Sequence, residues 1–148
     1  MPMSATDRRV IYPRLLWVAP LAGLIATALS TAIYLAAAAL GSMPQDVVVQ
    51  GRGPITLGAV ISSSFVPALL AAGALALFGR FTRRPVRNFV ALAAVALVLS
   101  FATPFSLVGA SAAMRTVLLL MHVLAATIIT GGLLTLATRE DEGCPPHA

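Results

Sequence analysis

Few side chains in this chain could do chemistry, and those few stand inside otherwise apolar segments. His122 lies in the middle of an uncharged run with Arg115 one heptad before it, and Ser62, Ser63 and Ser64 form a triplet in another such run. Hydroxyls and an imidazole are the parts of a nucleophile and its base. The set is incomplete for catalysis, because no carboxylate lies within any uncharged run to orient the histidine, and no nucleophile-elbow motif surrounds the serines. General acid-base pairing, proton-coupled antiport through a buried carboxylate, and bis-histidine haem ligation all lack their residues. Cys144 is the only cysteine, so an intrachain disulfide and a paired-cysteine redox motif are excluded. Together with His147 it offers two donors on a polar tail, too few for a closed metal site. The inventory points away from an enzyme and implies neither a cofactor nor a metal.

These residues must be positioned by four segments without a single charge: 15–45, 53–79, 88–114 and 116–138. Each exceeds the ~20 residues that cross a bilayer core. Of 148 residues, 59% are hydrophobic and 10% charged, against roughly 25% charged in a soluble domain, so most of the surface must face lipid. The apolar runs are continuous rather than alternating, which excludes a barrel. The expected fold is an all-α integral membrane four-helix bundle in one domain, with helices at 15–40, 55–78, 89–107 and 116–137 and flexible tails at 1–14 and 138–148. Trp17 and Tyr34 fall near the two ends of the first helix, where interfacial aromatics belong. Residues 41–54, rich in glycine and proline, make the longest connection, and Val47, Val48 and Val49 suggest a short extended piece within it.

All ten basic residues are arginines. Arg8, Arg9 and Arg14 precede the first span, Arg80, Arg83, Arg84 and Arg87 fill the link between the second and third, and Arg139 follows the fourth; Arg52 and Arg115 alone lie on the other side. Arginine-rich short loops stay in the cytoplasm, so both termini are expected inside. This explanation of the basic residues leaves no reason to invoke nucleic acid. The apolar stretch after Arg14 continues too far for a cleavable signal core, which makes the first span an uncleaved anchor. Arginine without lysine, together with abundant alanine, matches the coding bias of a GC-rich bacterial genome. The expected location is therefore a bacterial cytoplasmic (inner) membrane, with the lipid bilayer as the main partner.

Helical spacing assigns faces. In the fourth span Val117, Leu120, Leu124 and Ile128 make a bulky stripe suited to lipid, and His122, Ala125, Ala126 and Gly132 gather on the inward side. Ala19, Gly23, Thr27 and Thr31 in the first span, and Gly58 and Ser62 in the second, make close-packing faces through which a second copy or another membrane protein could also dock. At a 1.5 Å rise per residue, Ser62, Ser63 and Ser64 lie roughly 10 to 14 Å below the outer surface and His122 about 9 to 11 Å below it. Ser30, Thr31, Thr103 and Ser106 fall in the same outer half. Two readings compete for this cluster. In one it is an outward pocket for a small molecule or lipid headgroup, with His122 as donor or acceptor and Arg115 drawing an anion to its mouth. In the other, the hydroxyls bond their own helices near Pro67 and Pro104, which kink the chain and free the carbonyls of Ser63 and Ser100, while His122 links helices.

The segments Pro54-Ile55-Thr56-Leu57-Gly58, Arg80-Phe81-Thr82-Arg83-Arg84-Pro85 and Met114-Arg115-Thr116 to Met121-His122 resemble DUF6069, a family of small bacterial four-helix membrane proteins. The resemblance covers about residues 15 to 137 and implies a four-pass fold with no assigned activity. It transfers no catalytic residue. The expected function is that of a non-enzymatic multi-pass membrane protein in a structural or accessory role, with binding or transport at the His122 cluster as the alternative.

Overall fold

The computed structural model describes residues 8–41, 48–49, 53–54, 57–105 and 110–140. Four spans cross the fold: α1 (Tyr12–Ala39), α2 (Leu57–Phe81), α3 (Pro85–Ser100) continued by the short α4 (Ala102–Phe105), and α5 (Ala112–Leu136). The spans hold 28, 25, 21 and 25 residues, each long and apolar enough to cross a membrane. The four-helix expectation holds, with shifted boundaries. α1 begins at Tyr12, because Pro13 is acceptable in a first turn, where its missing N–H costs nothing. Pro85 starts α3 in the same way, four residues before the expected start. α1 ends on Gly41, whose φ of 70° is the left-handed conformation a helix C-terminus favours. Ser111 caps α5 by accepting the Met114 N–H at 3.1 Å. α2 runs unbroken through Pro67, whereas α3 and α4 part at Phe101, three residues before Pro104.

The helices are not equivalent. α1 lies between α2 and α5 and packs along both, with a third of its most apolar window buried (33%) against 11% for the third span. Its inward face is Leu15, Val18, Ala19, Ala22, Gly23, Ala26, Ser30, Tyr34 and Ala37. Small residues there admit bulk from the neighbours: a Cβ on Gly23 would stand 3.0 Å from the Phe65 ring and 3.1 Å from Ala68, and one on Gly132 would stand 3.4 Å from Ala22. This complementarity corrects the faces expected for α5. Its buried residues are Met114, Leu118, Met121, Ile129 and Leu133, and Val117 and Ile128 pack against the core, leaving Leu120 of the expected lipid stripe exposed. On α2 the packed face is Val60, Ser64, Ala68, Ala72 and Leu75, and Gly58 and Ser62 are exposed. Tyr34 is buried rather than interfacial, and Trp17 is half exposed at 50%. α3 buries Pro85 and Phe89, and no residue from 91 to 100 is buried.

Two small antiparallel ribbons join the helices. Val48–Val49 (β2) pairs with Gly53–Pro54 (β3), the extended piece expected near the three valines; Val47 lies outside the described residues. The other ribbon is formed by residues from the two segments expected as tails. Arg8–Val10 (β1) pairs with Thr138–Glu140 (β4), with Arg8 opposite Glu140, Arg9 opposite Arg139 and Val10 opposite Thr138. The Ile11 N–H donates to the Ala137 carbonyl at 2.9 Å, and an Arg14 guanidinium N–H reaches the Leu136 carbonyl at 3.5 Å. Val10 closes on the end of α2, where a Cβ on Gly79 would meet Val10 Cγ2 at 2.9 Å and the Tyr12 hydroxyl at 3.1 Å. The ribbon ties α1, α2 and α5 together at the arginine-rich end.

Candidate polar layer

The core is split along the bundle axis. One apolar cluster, at the arginine-rich end, reaches Ala26, Ala68 and Ile129; a second, toward the other end, holds Tyr34, Ala37, Val60, Met114, Leu118 and Met121. Between their limits stand Thr27, Ser30 and Thr31 on α1, Ser62, Ser63 and Ser64 on α2, and His122 on α5. Because α1 runs antiparallel to its two neighbours, these positions share a level. The structure thus brings most of the expected cluster to one depth. It does not bring Arg115 or Thr103 there: Arg115 stands two turns nearer the end of α5, roughly 10 Å away along the axis, and Thr103 is exposed on α4. Ser106 lies outside the described residues, as do Cys144 and His147.

The hydroxyls divide into two groups. Ser62 donates to the Ala59 carbonyl at 3.2 Å, Ser63 to Val60 at 3.0 Å and Ser100 to Leu97 at 2.6 Å. Thr116 and Thr127 similarly bond carbonyls four residues back in α5. These groups need nothing from a ligand, since each is satisfied within its own helix. Ser62 and Ser63 are also exposed, so only Ser64 of the triplet belongs to the interior. Thr27 Oγ1 and Ser30 Oγ are buried without a hydrogen-bond partner, and Ser30 as a whole is 1% exposed. A buried hydroxyl left unpaired costs about 1 to 3 kcal/mol. The pattern of small residues on α1 had marked Thr27 for packing, and nothing in its spacing told a packing hydroxyl from an unpaired one.

His122 is half-buried beside the inward stripe, and its Nδ1 lies 2.7 Å from the Leu118 carbonyl oxygen in its own helix. A carbonyl oxygen only accepts, so Nδ1 carries the hydrogen in this bond. In the neutral ring Nε2 is then an acceptor, and a group meeting it must bring a donor. Among the described residues no three His, Cys, Asp or Glu side chains converge as a metal site. The layer therefore offers one imidazole and two buried hydroxyls among apolar side chains.

A family model described as a family of unknown function, DUF6069, matches residues 11–139. The chain belongs to the DUF6069 family. The matched region takes in all four spans and the polar layer of this DUF6069 member, and of the end ribbon only Thr138 and Arg139, since β1 lies before it. No curated protein and no solved structure matches the chain.

Proposed function

We propose that this DUF6069 protein is a non-catalytic, multi-pass component of a bacterial cytoplasmic membrane, with both termini inside, that serves a structural or accessory role by packing against a second copy or another membrane protein. The observation that carries this reading is the state of α3, which has no buried residue between 91 and 100 and so presents that length of helix laterally. Ala91, Ala94, Val95 and Val98 are exposed there at helical spacing, small enough for a second helix to approach closely. A Val98→Cys variant on a Cys144→Ser background tests it in native membranes. Oxidation should give a cross-linked dimer or a discrete larger adduct; monomer alone, with the engineered thiol still reactive, sinks the lateral-packing role.

Binding at the polar layer is the second reading, and it is favoured by the unpaired Thr27 and Ser30 hydroxyls at the level of His122. A donor-bearing amphiphile, such as a lipid or small alcohol, suits that chemistry. Thermal unfolding in detergent across lipids and small hydrophobic compounds reads it out, because a ligand bound only by the folded state raises the midpoint. His122→Leu should abolish such a shift while changing the unliganded midpoint little. A panel in which no compound stabilises the wild type removes this reading.

A further inference from the structure

The link between α2 and α3 concentrates charge that nothing near it in the chain neutralises. Arg80, Arg83, Arg84 and Arg87 fall close together and are all exposed, and no carboxylate occurs between Asp46 and Glu140. The supply elsewhere at this end of the bundle is too small: Asp7, Glu140, Asp141 and Glu142 stand on the flanking segments beside eight arginines, so four guanidiniums are left over even if every one of these carboxylates takes one. The backbone cannot spread the link. The Thr82 N–H donates to the Phe78 carbonyl at 2.9 Å and the Asn88 N–H to the Arg84 carbonyl at 3.2 Å, which closes a helix on either side of the turn, and Pro85 and Phe89 are buried against the bundle. One of the four arginines is also held at the lipid boundary. Phe81, 74% exposed, continues the exposed stripe of Val66, Leu70 and Leu77 along α2, so its ring belongs among acyl chains. The Arg80 guanidinium lies over that ring, 5.9 Å from its centroid. Its stem runs along apolar surface while its head stops at the level of the phosphates. Orienting the chain during insertion requires only charge in the loop and makes no use of a guanidinium stacked on a lipid-facing ring.

We propose that the α2–α3 link is a docking surface for the headgroups of acidic phospholipids in the adjoining leaflet, with Arg80, Arg83, Arg84 and Arg87 meeting the phosphates and Phe81 the acyl region beneath them. A phosphodiester suits these side chains, because each guanidinium offers parallel N–H donors to phosphate oxygens. A cluster of basic residues directly beside a span also attracts acidic lipid through its summed field. The bound headgroups supply the negative charge that the chain lacks here. This surface is independent of the lateral-packing reading, since it precedes residues 91–100 of α3, and of which side of the membrane this end occupies.

The test places a reporter in the surface. Trp17 is the only tryptophan, so Trp17→Phe combined with Phe81→Trp leaves a single indole at position 81, an exposed site that accepts the larger ring. In bilayers of equal phosphatidylglycerol and phosphatidylcholine, with one or the other lipid brominated, quenching of that indole reports which lipid adjoins it. Phosphatidylglycerol should associate on the order of fivefold more strongly than phosphatidylcholine. Arg80→Gln with Arg84→Gln should abolish the preference without moving the melting midpoint, because both side chains are exposed. Arg14→Gln with Arg139→Gln, which removes the same charge from the same end outside the link, should keep it. An equal loss in both pairs reduces the effect to general surface charge and overturns the docking surface, as does the absence of any preference in the reporter protein. Loss of the preference on adding inorganic phosphate at matched ionic strength overturns the headgroup assignment.

Discussion

Gly79 lies so close to Val10 that a Cβ on the glycine would stand 2.9 Å from Val10 Cγ2 and 3.0 Å from Val10 Cβ. The contact joins the end of α2 to a strand from the other end of its neighbour helix, and it depends on the absence of one carbon. Both Val10 atoms sit near a backbone already fixed by the ribbon, so little room exists to yield. Gly79→Ala should destabilise the protein by about 1 to 3 kcal/mol, the usual range for overpacking. It should also speed exchange at the Ile11 amide. An unchanged amide with a lowered melting point would place the strain elsewhere than the ribbon.

Glycines in the spans separate by what surrounds them. Gly23→Ala should lower the melting point, because the new Cβ would press on Phe65 and Ala68 at 3.0 and 3.1 Å. Gly73 has nothing within 4 Å of the same position. There alanine should be neutral or stabilising by roughly 0.5 to 1 kcal/mol, through reduced backbone entropy of the unfolded chain. Thermal unfolding of the two variants side by side checks the α1–α2 interface, and equal effects would count against it.

Ser30→Ala removes a buried hydroxyl that has no partner. Stability should hold or rise by on the order of 1 kcal/mol, since an unpaired polar group leaves the interior. Ser63→Ala serves as comparison, for its hydroxyl is already bonded to Val60. A clear loss of stability on Ser30→Ala would mean that the hydroxyl has a partner in the folded protein and would weaken the binding reading.

Orientation is tested by labelling. On a Cys144→Ser background, a membrane-impermeant thiol reagent applied to intact cells should modify Ala112→Cys and spare Arg83→Cys until the membrane is opened. Both positions are exposed, at opposite ends of the bundle. The reverse pattern would invert the proposed topology.

The spans were legible in the sequence because hydropathy is local: each uncharged run contains most of one spanning helix, and Pro13 and Pro85 marked two starts that lay earlier than the apolar pattern suggested. The depth of the polar layer was legible for the same reason, since Ser30, Ser64 and His122 are placed by simple rise along a helix. Faces were harder. A helix in lipid is apolar on both sides, so Leu120 and Leu118 look alike in sequence although one is exposed and the other buried. Packing chose Met114, Leu118 and Met121 because they meet Tyr34 and Ala37 of α1 and Val60 of α2. The ribbon was hidden altogether, because Arg8–Val10 and Thr138–Glu140 are short, partly charged and far apart along the chain.

That separation sets an order of events. Arg14 bonds the Leu136 carbonyl across 122 positions, and the strands beyond them pair across still more. Contacts among α1, α2 and α3 can begin while α5 is still being made, whereas the packing of α5 comes after them and the ribbon must wait for residue 140. β1 therefore has no partner strand until residue 140 has been made. Closing the ribbon is the step at which a correctly inserted set of four spans becomes distinguishable from an incomplete one, and a quality-control protease reading the open β1 would act before that moment and not after it.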